Sequence, residues 1–176
     1  SFSIDNYEDT AGNPGEEITQ TTDDSKVTLD KSNPESYGVE FDKEVVSLSN
    51  EENISFTFSN AEVGATYNYS VDDEDSNTSA VTGSGEINTA DETITGIDLS
   101  SLSDGQLTLT VTLTDVAGNE GSETEATIEK DTAEPTLSTV SISSDNENDA
   151  TLAKVGDTVI LDITAGEEIE KPTVTI

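Results

Sequence analysis

Between Leu107 and Thr114 every second residue is apolar: Leu107, Leu109, Val111 and Leu113 alternate with Thr108, Thr110, Thr112 and Thr114. A helix would scatter these four side chains around its circumference, whereas a strand lines them up on one face. Threonine on the other face suits a pleated, half-exposed surface. The stretch therefore reads as a strand of an antiparallel sheet with one face on a core and the other toward water.

The same alternation recurs in Ile54, Phe56 and Phe58 and in Tyr67, Tyr69 and Val71. Turn-forming clusters separate the runs: Asn50 to Asn53, Asp72 to Asn77, Gly83-Ser84-Gly85, Ser103-Asp104-Gly105 and Asp115 to Asn119. Strands are predicted at 39–41, 45–48, 54–59, 66–71, 79–82, 85–88, 92–97, 106–114 and 123–130, with the 79–88 pieces as two short strands. A single helical turn is expected at Asp98 to Leu102, capped by Asp98 and dropping Leu99 and Leu102 into the core. Short strands at this spacing predict an all-β, immunoglobulin-like antiparallel β-sandwich.

Internal repetition extends that reading. Asp9-Thr10-Ala11-Gly12-Asn13 returns 106 positions later as Asp115-Val116-Ala117-Gly118-Asn119, and Pro34 returns 101 positions later as Pro135. Ile54 to Ser59, with its following Glu62/Gly64 turn, is echoed by Val159 to Thr164 and Glu167-Glu168. The spacing equals one sandwich domain of about 100 residues. The chain divides accordingly into residues 1–33, the closing F–G hairpin of one repeat; residues 34–131, a complete repeat; and residues 132–176, the opening A, B and C strands of the next.

Composition narrows the function. Asp and Glu number 39 against 6 basic residues, all lysine, for a formal charge of -33. Nucleic acid and anionic membrane are excluded as partners, and self-repulsion calls for a saline or calcium-containing medium. Low hydrophobicity with high charge also marks disorder, but the periodicity argues against it. Cysteine and histidine are both absent, which removes disulfides, thiolate metal sites, the usual general base and serine–histidine triads. With no signal peptide and no run of ~18 apolar residues, the expectation is a segment that does not insert in a membrane, any export signal lying elsewhere.

Three stretches carry a resemblance: Ser59 to Tyr67, Ile94 to Leu99, and above all Leu109-Thr110-Val111-Thr112-Leu113-Thr114-Asp115-Val116-Ala117-Gly118-Asn119. The chain resembles the bacterial Ig-like tandem repeats of giant surface adhesins and biofilm-associated proteins. Ala153-Lys154-Val155-Gly156-Asp157-Thr158-Val159 is similar to the opening strand of a related repeat. The resemblance implies head-to-tail domains in a secreted or cell-surface stalk, with neighbouring repeats of the same chain as partners and calcium fixed at the junctions. It names no ligand; a glycan, host or biofilm ligand would be met by other domains.

In such a topology the B–C and F–G loops return to the pole at which the chain enters. Asp30, Glu62, Asp115 and Asn119 would then converge, and oxygen donors from separate loops are what Ca2+ takes, 6 to 8 of them at about 2.3 to 2.6 Å. Asp131 and Glu167 would serve the following junction. The competing reading is that Asp-x-Ala-Gly-Asn is a hairpin turn, with Gly118 and Asn119 at positive φ and the aspartate bonding the backbone two residues on.

Other groups read less specifically. Asp73 to Asn77 imitates the start of an EF-hand loop, but Thr78 stands where glycine belongs and no helices flank it, so a solvated turn is expected. Asp145 to Asp149 is a similar acidic loop. Lys43, Lys130 and Lys154 would be needed for isopeptide cross-links, against which stands the simpler role of a lysine guarding an exposed strand edge. An enzyme would need a cleft with shaping cations and aromatics, so the chain is read as non-catalytic. A carbohydrate-binding module would need exposed coplanar aromatics from Tyr7, Tyr37, Tyr67 and Tyr69, and Tyr67 and Tyr69 are expected to face inward with Phe56 and Phe58. A third alternative is a filament subunit, in which the complementary terminal segments of neighbouring copies pair by strand addition.

Overall fold

The computed structural model describes residues 2–175. Ten strands occur: β1 (Gly38–Phe41), β2 (Val45–Val46), β3 (Ile54–Ser59), β4 (Thr66–Asp72), β5 (Val81–Glu86), β6 (Thr93–Ile97), β7 (Gly105–Thr114), β8 (Thr124–Lys130), β9 (Leu137–Ser144) and β10 (Val159–Ala165). The first eight make two sheets, a three-stranded β1-β3-β6 and a five-stranded β2-β8-β7-β4-β5. All pairings are antiparallel except that of β2 with β8. The fold is an all-β sandwich.

The alternation in β7 fixes its orientation. Leu107, Leu109, Val111 and Leu113 are all buried, while the four threonines between them are half-buried. They meet Ile54, Phe56 and Phe58 of β3, which are at most 1% exposed. Phe56 packs edge-on to Tyr69 at 5.4 Å and Phe58 lies 5.6 Å from Tyr67, joining the two layers through aromatic rings. Each such ring contributes roughly 1.5–3 kcal/mol through burial, which in a chain without disulfides makes this layer contact the main source of stability.

Three local expectations are corrected. The two strands expected within 79–88 are one, β5 (Val81–Glu86), because Gly83 and Gly85 are not a turn: each pairs with a tyrosine of β4, Tyr69 with Gly83 and Tyr67 with Gly85. A Cβ at Gly83 would stand 2.5 Å from the Tyr69 ring and one at Gly85 2.6 Å from the Tyr67 hydroxyl, so these glycines are the space the rings occupy. Residues 98–102 form a turn rather than a helix, with Leu102 N–H bonded to Leu99 C=O at 3.1 Å, although Leu99 and Leu102 do enter the core. The strand predicted at 45–48 stops at Val46, because the Asn50 side chain accepts from Ser47 N–H at 2.8 Å and folds the chain into a turn.

The chain enters and leaves this sandwich at opposite ends. Pro34 is buried against Gly121, beside the Thr114 end of β7, where Thr114 bridges Glu120. Lys130 pairs with Gly105, at the other end of β7, and Asp131 N–H bonds to Val46 C=O at 2.9 Å. Ten residues of β7 separate the two poles, a distance of roughly 30 Å at about 3.4 Å per residue.

On either side of the sandwich the structure is sparser. Residues 2–33 hold two antiparallel bridges, Ile4 with Ile18 and Glu8 with Pro14, about the Asp9–Asn13 turn. Strands β9 and β10 form an antiparallel pair of their own, in which Val140 faces Ile163 and Ile142 faces Leu161. In the complete sandwich Val39 faces Phe58 and Phe41 faces Phe56. The pairing register of β9–β10 thus matches that of β1–β3 residue for residue over these positions. Residues 173–175 form no strand, and Ile176, the last residue of the strand expected there, lies outside the described residues.

Candidate functional site

The pole at which the chain enters is built by β7 turning into β8. Asp115 N–H bonds to Asn119 C=O at 3.0 Å and Gly118 N–H to Asp115 C=O at 3.1 Å, while Gly118 takes φ of 92°. Asp115 closes the turn with its side chain: Oδ1 accepts Asn119 N–H and Oδ2 accepts the Asn119 amide, both at 2.8 Å. The side-chain bond from Asn119 is the main reason its carboxyl sits below the usual range. Asp115 is 7% exposed while Val116 to Gly118 stand in solvent, so its carboxylate is the buried, hydrogen-bonded anchor of an exposed turn.

Asp9–Asn13 repeats it. Asp9 Oδ1 accepts Ala11 and Asn13 N–H, both at 2.9 Å, Oδ2 accepts the Asn13 amide at 2.7 Å, and Gly12 takes φ of 85°. The five-residue motif read in the sequence therefore encodes a hydrogen-bonded turn, twice. Positive φ falls on Gly118 and Gly12 and not on the asparagines.

Tyr37 ties the entering chain to this pole. Its hydroxyl accepts Leu113 N–H at 3.2 Å and donates to Ser122 C=O. Burial raises its pKa. The 62–64 loop lies alongside, since a Cβ on Gly64 would be 3.7 Å from the Val116 side chain.

The candidate calcium ligands are placed as follows. Asp115 and Asn119 are in contact; Glu62 is exposed on the neighbouring loop; Asp30 is exposed and caps Ser32 N–H at 3.0 Å. Asp131 is exposed at the opposite pole, capping Ala133 N–H at 3.1 Å, and Glu167 is exposed beyond β10. The donor types suit Ca2+, but among the described residues no three His, Cys, Asp or Glu side chains converge as a metal site. Asp30, Glu62 and Asp115 are thus not gathered into one group of carboxylates here, and Asp115 already accepts hydrogen bonds at both oxygens.

At the exit pole the structure shows what the sequence did not. Lys130, expected on an exposed edge, is 3% exposed, with Nζ 2.8 Å from Leu99 C=O, 2.7 Å from Leu102 C=O and 2.9 Å from Glu51 Oε2. An ammonium has three protons, and here each has an acceptor. The phase of β8 was the available signal, since Lys130 is two residues beyond inward-facing Ile128. Lys43 and Lys154 are exposed.

The acidic turn after β4 is a second tie. Asp73 Oδ2 accepts Ser103 N–H at 2.6 Å and Oδ1 accepts the Thr78 hydroxyl and Asp75 N–H. These bonds, that from Thr78 foremost, hold its pKa far below the usual range. It is a connector between two loops rather than a freely solvated turn. In the 145–158 loop, Asp157 Oδ2 likewise accepts the Asn146 amide at 2.8 Å and Lys154 N–H at 2.9 Å.

No protein-family model and no curated protein matches the chain. A solved structure, that of a tetra-tandem repeat in the extending region of a large adhesion protein, is similar to it with a TM-score of 0.41 and 17% identity. The match covers 74% of this chain and 38% of that one, so the chain spans well under half of its neighbour's length.

No helix among the described residues is long and apolar enough to cross a membrane. Of the four tyrosines that a glycan platform would draw on, Tyr67 and Tyr69 are turned onto Phe58 and Phe56, Tyr37 is half-buried and Tyr7 is 43% exposed.

Proposed function

We infer that the sandwich of residues 34–131 is a non-catalytic, load-bearing spacer repeat of an extracellular bacterial adhesin or surface protein. The observation that carries this reading is the entry of the chain beside Gly121 and its exit beside Val46, at opposite ends of β7. A module threaded in this way passes tension from one neighbour to the next along its long axis. The resemblance of Leu109 to Asn119 to adhesin repeats supplies the extracellular setting.

Strand pairing supports a mechanical role. β2 and β8 are parallel neighbours near the two ends of the repeat. Pulling Pro34 and Asp131 apart loads the short β2–β8 pairing in shear, so that its hydrogen bonds, with that from Asp131 N–H to Val46 C=O, must fail together. Stiffness in this reading comes from side-chain ties at both poles, Tyr37 at one and Lys130 at the other.

Pulling single molecules through residues 34 and 131 tests the proposal. The 98 residues from Pro34 to Asp131 should release in one cooperative event of about 300 Å, from roughly 3.4 Å per residue less the folded length. Gradual extension without a discrete event would overturn the load-bearing reading.

A further inference from the structure

Where the chain leaves the sandwich, consecutive residues are each held by a different segment. Lys130 Nζ donates to Glu51 Oε2 and to the carbonyls of Leu99 and Leu102. Asp131 N–H donates to Val46 C=O at 2.9 Å. Thr132 donates its N–H and its hydroxyl to Asp104 Oδ1, at 3.1 and 2.8 Å. The stretch from Leu99 to Asp104 takes most of these bonds. It is fixed in turn by Leu99 N–H on Glu51 C=O at 2.8 Å and by Ser103 N–H on Asp73 Oδ2 at 2.6 Å.

These holds differ in what it takes to break them. Asp104 and Asp131 are exposed, so water is at hand to replace a broken bond there. The Lys130 side chain is 2% exposed and that of Glu51 14%. To leave its site the ammonium must give up three acceptors before water reaches it, and a buried charge without partners is costly.

The topology puts that cost on the load path. β2 and β8 run parallel over only two residue pairs, Val45 with Glu129 and Val46 with Lys130, so backbone bonds alone make a short shear contact. Tension arriving along the departing chain meets Lys130 before any other residue of β8. The side chain passes it sideways to the segment after β2 and to the Leu99–Leu102 turn. A slide of β8 by one residue, about 3.4 Å, is enough to break all three ammonium bonds while Leu107, Leu109 and Val111 stay covered.

We propose that the Lys130 ammonium is the mechanical latch of the repeat, the group whose release sets the force at which the sandwich opens. This rests on the spacer reading of residues 34–131 and assigns its load-bearing step to one side chain. The transition state for opening under tension then has a vacated Lys130 site and an otherwise native core.

Constant-force pulling of the 176-residue chain by its two ends, with urea unfolding of the same variants, tests the latch. Lys130→Met should raise the unfolding rate under load by about a hundredfold, its whole equilibrium cost, because the bonds it lacks are those already broken in the transition state. Leu109→Ala is a core truncation of comparable equilibrium cost. It should raise the rate by no more than about tenfold, since its contacts persist in that transition state. A lysine that only stabilises the fold would not separate the two.

If both variants speed opening equally for equal equilibrium loss, Lys130 is an ordinary contact and the proposal is overturned. A wild type that extends without a discrete event overturns the load-bearing reading and the latch with it, whereas a discrete event that Lys130→Met leaves unchanged overturns the latch alone. Where Lys130→Met does not fold, Glu51→Gln takes its place. Opening about fivefold faster, the rate equivalent of one hydrogen bond, is then expected, and an unchanged rate refutes the latch.

Discussion

Glu51 holds the Lys130 ammonium at 2.9 Å, and the same ammonium closes the Leu99–Leu102 turn by donating to both of its carbonyls. Three segments distant in sequence meet on one cation inside an acidic protein. Lys130→Met removes the donors and leaves Glu51 and two carbonyls without them; the expected loss is about 3 kcal/mol by the measure of broken buried pairs. Glu51, partly open to water, is the lesser partner, and Glu51→Gln should cost about 1 kcal/mol, in the usual range of one hydrogen bond. Urea unfolding of both variants checks the order, and equal costs would refute the assignment of the carbonyls as the main acceptors.

Tyr37 makes the corresponding tie at the entry pole. Tyr37→Phe keeps the ring against Gly121 but removes the hydroxyl that joins Leu113 N–H to Ser122 C=O. A loss of about 1–2 kcal/mol is expected for one satisfied bond and one amide left half-buried. Faster hydrogen exchange should appear at the Leu113 amide. An unchanged exchange rate there would show that the hydroxyl is dispensable.

The glycines of β5 make a steric prediction. A methyl group on Gly83 or Gly85 would lie within 2.5 to 2.6 Å of a tyrosine atom, so Gly83→Ala and Gly85→Ala should each destabilise despite the better strand propensity of alanine. About 1–3 kcal/mol is expected, the range for overpacking. Pairing Gly85→Ala with Tyr67→Leu should recover part of the loss. If the double variant is additive, the ring is not the obstacle.

Asp73 predicts a pH effect with a definite sign. Its folded pKa is depressed, chiefly by the Thr78 hydroxyl and Ser103 N–H. The stabilisation is therefore complete above the unfolded-state value near 3.9 and is lost as pH falls through the lower folded value. Asp73→Asn should lower the melting temperature at pH 7, and the gap to wild type should narrow below about pH 4. A gap constant with pH would mean that the charge of Asp73 contributes nothing.

Much of the sandwich was legible because its signals are local. Alternation placed β3, β4, β7 and β8 to within a residue or two, and the five-residue motif announced the turn on which the repeat is built. What was not legible depends on partners across the sheet. Gly83-Ser84-Gly85 has turn composition, and only the tyrosines opposite make it a strand. Lys130 looks like an edge lysine until the Leu99–Leu102 turn brings two carbonyls to it. The candidate calcium ligands were chosen for sharing a pole, and what the sequence did not show is that Asp30 and Asp115 each bond to nearby backbone there.

That geometry makes calcium dependence a decisive measurement. Asp115 has both oxygens bonded to Asn119, and among the described residues it is not grouped with Asp30 and Glu62. Chelation at fixed ionic strength should therefore leave the melting of the 34–131 sandwich nearly unchanged, while Asp115→Ala should lower it equally with and without chelator, since what is lost is the turn. A junction ion saturated at 100 times its dissociation constant would instead add about 2.7 kcal/mol. For a domain of this size that is roughly 10 °C or more in melting temperature. A drop of that size on chelation, abolished by Asp115→Ala, would restore calcium to the pole and require Asp30 or Glu62 to move onto the ion.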